Sequence, residues 1–127
     1  MLIGKHYRRD SYNCAGFVAD WYREKLNVEI PVVDEFSLSF VKWMRKHFDE
    51  ITSPQDNCLV LMTGSDGGYH IGVYYDLGVY HNFKPTVGHG SVCKWQMSAV
   101  NAYYAKVSFH KWSQSNTSRA QQESNVS

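Results

Sequence analysis

No run of this chain is apolar for long enough to cross a bilayer, and neither sign of charge dominates it. A spanning helix needs about 20 apolar residues, so membrane insertion is not expected. Lys and Arg number 13 against 12 Asp and Glu, for a formal charge of +1, and the basic residues are scattered rather than gathered in a stripe. Nucleic acid and anionic membrane surfaces therefore have no electrostatic support as partners. Cysteine is scarce and odd in number. Cys14, Cys58 and Cys93 are too widely spaced for a disulfide framework or a paired zinc motif, so at least one free thiol is expected. Internal repeats are lacking. Met1-Leu2-Ile3-Gly4 gives way at once to Lys5, Arg8, Arg9 and Asp10, which is not a signal-peptide pattern, and export by the standard route is not expected.

What is present suffices for one domain. A chain of 127 residues, 43% hydrophobic and 15% aromatic, can bury a single core and is too short for two ordinary domains. Its organising stretch is Tyr12-Asn13-Cys14-Ala15-Gly16-Phe17-Val18. Asp10, Ser11 and Asn13 accept hydrogen bonds from the free N–H groups of a first helical turn, which predicts a helix opening at Cys14. Phe17, Val18, Trp21, Tyr22 and Leu26 then recur at three- and four-residue steps, with Asp20, Arg23, Glu24 and Lys25 on the other face and Asn27 as a stop. A thiol at a helix N-terminus feels the positive end of the backbone dipole, which favours the nucleophilic thiolate. The plainer alternative is a small buried residue at the head of a core helix.

The remaining elements follow in order. Pro31 marks Val28 to Val33 as an extended connector, and a second helix is predicted from Phe36 to Phe48. After the turn cluster Thr52 to Asn57 the pattern becomes β-rich. Cys58 to Met62 reads as a buried strand, Tyr69 to Tyr75 as a second, Asp76-Leu77-Gly78 as a hairpin turn and Val79 to Phe83 as the partner strand. Ser91 to Trp95 begins another short run, Met97 to Tyr104 reads as a short helix or turn, and Lys106 to Trp112 as a last strand. Residues 1–112 form the expected domain, and 113–127, polar and without apolar pattern, a disordered tail. Helices first and antiparallel strands afterwards predict an α+β fold in which N-terminal helices pack on a small antiparallel sheet.

Six histidines are candidates for a base: His6, His47, His70, His81, His89 and His110. Only His70 and His81 flank a tight turn, where hairpin pairing brings them near one another. If one imidazole faces Cys14, the other can fix its tautomer, giving the nucleophile, base and orienting group of thiol acyl transfer. Two strand histidines are equally at home on a surface or in a core. Cys58 and Cys93 read as core, and His89, between glycines, as a turn residue.

At these residues the chain resembles the NlpC/P60 cysteine peptidases. Their nucleophile segment corresponds to Asn13-Cys14-Ala15-Gly16-Phe17, their histidine strand to His70-Ile71-Gly72-Val73-Tyr74, and their third polar residue to His81, 11 positions on. The resemblance runs from Gly4 to Trp112 and implies a papain-like fold, with Cys14 as nucleophile, His70 as general base and His81 orienting it. It also implies that Tyr7 lines the substrate region and that neither metal nor other cofactor is needed. Asn13 and Ala15 depart from the usual Asp and Ser. Tyr12-Asn13-Cys14 followed by the run Trp21 to Pro31 looks most like small domains of bacteriophage tail tips. That implies a virion component made in the host cytoplasm, partnered by other tail-tip proteins, and acting on peptidoglycan stem peptides at the γ-D-glutamyl to diamino-acid bond. Three alternatives stay open: a non-catalytic tail component of the same fold, an acyltransferase or amidase using the same thiol, and a zinc site from Cys14, His70 and His81.

Overall fold

The computed structural model describes residues 14–30, 38–83 and 91–113. Helix α1 spans Cys14–Leu26 and buries Phe17, Val18, Trp21 and Tyr22, as the periodicity predicts, together with Ala19. Leu26 departs from that stripe and stands 38% exposed. Asn27 ends the helix with a left-handed φ of 55°, a conformation its short polar side chain tolerates, and the N–H of Val28 turns back to the Tyr22 carbonyl at 3.1 Å. Helix α2 spans Leu38–His47 and buries Val41 and Met44. It stops a residue short of the expected end because Phe48 belongs to a strand, β1 (Phe48–Ile51).

The sheet continues with β2 (Leu59–Thr63), β3 (Tyr69–Tyr75), β4 (Gly78–Phe83) and β5 (Ser91–Gln96), then helix α3 (Met97–Tyr103) and β6 (Lys106–Trp112). Its order is β1-β6-β2-β3-β4-β5, and every neighbouring pair is antiparallel. The fold is thus α+β, with three helices and a six-stranded antiparallel sheet among the described residues. Helix α3, lying between β5 and β6, departs from a simple order of helices followed by strands. Strand β1 escapes a sequence reading because it is short and carries the exposed acids Asp49 and Glu50, a composition that suits an edge strand.

Both faces of the sheet are covered. Leu59, Leu61, Ile71, Val73 and Tyr80 pack with Phe17, Val18, Trp21 and Tyr22 of α1. The alternate residues Val60, Met62 and Val79 pack with Val100 of α3 and with Tyr104 on the opposite face. Burial on both sides explains why β2 reads as an unbroken apolar run. Helix α1 is fastened at its second half. Trp21 donates from Nε1 to Oδ1 of Asn57 at 3.0 Å, and the Tyr22 hydroxyl donates to the Asn57 carbonyl at 2.6 Å. The Trp21 ring also meets Tyr75 and Tyr80, with centroids 5.5 and 5.3 Å away.

The β3–β4 hairpin closes through Asp76 and Leu77, whose φ values of 50° and 65° define a two-residue turn of the type that favours Asp-Gly. Leu77 is 81% exposed, so its side chain contributes little packing to offset the left-handed backbone. Leu77→Gly is expected to stabilise the protein by about 1 kcal/mol, with a midpoint shift of a few degrees in thermal unfolding. Asp76 keeps its two contacts in that variant, its N–H to Asp56 at 3.1 Å and its carboxylate to Lys94 at 3.4 Å.

Candidate active site

His70 is the second residue of β3 and His81 the fourth of β4, and hairpin pairing brings their rings together. Nε2 of His70 lies 2.9 Å from Nδ1 of His81, one nitrogen donating and the other accepting according to tautomer. This bond leaves Nδ1 of His70 for another partner. Gly72 makes the approach possible. A Cβ at that position would lie 2.6 Å from the Tyr80 carbonyl oxygen and 3.0 Å from Cβ of His81. His81 is fully buried, with the Trp95 ring edge-on at 4.6 Å, whereas His70 is half-buried and stacks on Tyr104 at 5.9 Å and 9°. Burial holds both imidazoles below the ordinary histidine value of 6.5, and for His70 the neighbouring ring adds to the effect. The pair is therefore neutral near neutral pH, the state in which an imidazole can accept a proton.

Cys14 is the first residue of α1 and is buried, with 8% of its surface exposed. Strand alternation places His70, opposite Met62, on the α3 face of the sheet, while α1 covers the other face. Trp21, in the second half of α1, packs beside Tyr75, the last residue of β3. Cys14 is among the groups that raise the phenol pKa of Tyr104, the residue stacked on His70. Burial is the larger cause of the raised pKa of Tyr104, whose phenol stays a neutral donor. Regular β3–β4 pairing extends to Val73–Tyr80, short of both histidines. A cavity of about 580 Å³ opens there, lined by Asp66, Tyr69, His70, Asn82, Phe83 and Tyr104 among others. Asn82 pairs with Val92 on the α1 face and His70 stands on the α3 face, so the cavity wraps around the open strand ends.

His70 and His81 are thus brought together, and Cys14 stands at the head of α1. Tyr7 and Asn13 lie outside the described residues, as do His6, His89 and the tail beyond Ser113. All three cysteines are free thiols. Cys58 is buried as expected, but Cys93 is half-buried and faces His81 rather than a purely apolar core. His47 stacks between Trp43 and Trp112, and Nε2 of His110 bonds Oγ of Ser108 at 2.8 Å, so both have structural partners. Sequence reasoning missed Tyr104, Asn82 and Cys93. Tyr104 closes a segment too short to show periodicity, Asn82 follows His81 on β4 and turns to the other face, and the registry of Cys93 with His81 appears only after β5 is paired.

Among the described residues no group of three His, Cys, Asp or Glu side chains is placed to hold a metal ion, and no helix is long and apolar enough to cross a membrane. No family model matches the chain, and no curated protein matches it.

Proposed function

We propose that this chain is a cysteine peptidase of papain-like, NlpC/P60-type fold that hydrolyses peptidoglycan stem peptides. The observation that carries the reading is the 2.9 Å bond between His70 and His81, which orients one imidazole by another at the wall of a cavity and leaves Nδ1 of the first available. In the first step the Cys14 sulfur bonds the scissile carbonyl carbon as its proton passes to Nδ1 of His70. Free N–H groups of the first turn of α1 face the oxyanion, a donor of this kind contributing roughly 3 to 4 kcal/mol. The C–N bond then breaks, and His70 returns the proton to the leaving amine. Water attacks the thioester, its proton again taken by His70, and releases the acid and the free thiol. His81 holds Nε2 of His70 throughout and keeps the ring aimed. Cleavage at the γ-D-glutamyl to diamino-acid bond, and action from a phage tail among other tail-tip proteins, rest on the motif resemblance alone.

The test is release of new amino groups from purified peptidoglycan by the wild-type protein and by Cys14→Ala, with folding checked by circular dichroism. Release by the wild type and none by the folded variant supports the reading, and mass spectrometry of the fragments names the bond. No release from walls of several bacterial types, with sluggish alkylation of Cys14, overturns it in favour of a structural tail component. Acyl transfer to an added amine without hydrolysis makes the chain a transferase instead.

A further inference from the structure

We propose that Cys93 sets the direction in which the His70–His81 pair holds its protons, and so acts as a positioning residue for the base; this rests on the peptidase reading above. Strand β5 places Cys93 directly opposite His81. Its Sγ lies 3.9 Å from Nε2 of His81 and 3.8 Å from the His81 carbonyl oxygen. With the bond between the rings at 2.9 Å, Cys93, His81 and His70 form one line of polar contacts running toward the cavity.

Such a line admits two arrangements. In the first, the thiol hydrogen goes to the His81 carbonyl and the sulfur accepts Nε2–H of His81. Nδ1 of His81 then accepts Nε2–H of His70, and Nδ1 of His70 carries a bare lone pair. In the second, the thiol hydrogen goes to Nε2 of His81, whose Nδ1–H donates to Nε2 of His70. The remaining hydrogen of neutral His70 then sits on Nδ1, the atom that must take the proton of Cys14. Only the first arrangement gives a base.

The surroundings of the sulfur select the first. Its single hydrogen has the His81 carbonyl within reach. Burial raises the Cys93 thiol pKa and keeps it protonated, so it retains the hydrogen this arrangement needs. Cys93 lines neither of the two cavities beside it, the one at His70 and the one at Trp95 and Tyr103, so it is placed to act through His81 and not on substrate.

Nitrogen-15 NMR of histidine-labelled full-length protein at pH 7.5 reads the tautomers directly. Wild type is expected to show both rings as the Nε2–H form. Cys93→Ser, which keeps a donor and an acceptor, is expected to retain it. Cys93→Val, or Cys93→Ala if valine prevents folding, is expected to mix the two tautomers of His81. On peptidoglycan the same loss is expected to lower kcat about tenfold or more with KM little changed, part of the 10²–10⁴ that a general base supplies. An Nδ1–H form of His70 in the wild type, or unchanged tautomers without the Cys93 sulfur, overturns the proposal. So does trapping of an acyl group on Cys93, which makes that residue the nucleophile. The tautomers are read without any turnover, so failure of this inference is distinguishable from failure of the peptidase reading.

Discussion

Cys14→Ala, His70→Ala and the double variant are expected to fall to one common residual rate on peptidoglycan, at least about 10³-fold below wild type. A thiol and the base that deprotonates it act as a unit, so removing the second member after the first has nothing further to take away. The comparison is sharper than either single loss, because a residue that merely supports the fold multiplies with its neighbour instead of masking it. Rates that multiply would mean that Cys14 and His70 work independently, and the thiol–imidazole unit would be abandoned. The pH profile adds a second expectation with a definite sign. His70 and His81 are held below 6.5 by burial, so both remain neutral on modest acidification. The decline of kcat/KM that reports protonation of the free base is expected to begin below the ordinary histidine value. The unfolded chain binds protons at that ordinary value while the native pair does not, so conformational stability falls with pH below 6.5. Profiles are therefore to be read only where circular dichroism shows the chain folded.

Local pattern carried most of the elements, and contact across strands carried the site. Helix α1 is legible because its apolar residues recur at helical spacing after a capping cluster, and β3 and β6 because Tyr69 to Tyr75 and Lys106 to Trp112 are strand-forming runs that the structure matches at both ends. Phe48 shows the limit. It continues the apolar spacing of α2, yet its ring is buried from β1 against Tyr22, Trp43 and Trp112, residues distant in sequence or on other elements. That His70 and His81 come near one another is expected from the hairpin, although both lie beyond its last regular pair, Val73–Tyr80. That their rings stand on the α3 face is invisible until β2, β4 and β5 are placed, because apolar residues line both faces of β2 and give no inside or outside. Tyr104 and Cys93 enter the site for the same reason, each fixed by a partner that the linear chain does not reveal.

Gly72→Ala is expected to cost about 2 to 3 kcal/mol of stability and to part the two histidines. The new Cβ would sit 2.6 Å from the Tyr80 carbonyl oxygen and 3.0 Å from both Cγ1 of Val79 and Cβ of His81. The nearest of these is backbone, which cannot rotate away as the end of a side chain can. Relief therefore requires β4 to move off β3, the motion that lengthens the 2.9 Å bond between the rings. The backbone of Gly72 is not in the left-handed region, so the effect is steric. Gly67 supplies the contrast, with φ of 85° and nothing within 4 Å of an added Cβ. Gly67→Ala is strained by about 1 to 2 kcal/mol through its backbone alone and leaves the histidines in place. Denaturant unfolding of both variants, beside their histidine NMR signals, separates the two causes. Similar losses of stability with the His70–His81 bond lost only in Gly72→Ala would tie the glycine of the His70-Ile71-Gly72 stretch to the site. A Gly72→Ala chain as stable as wild type, with the histidine signals unmoved, would show that β4 does not depend on the missing Cβ and would remove the physical reason for a glycine two residues after His70.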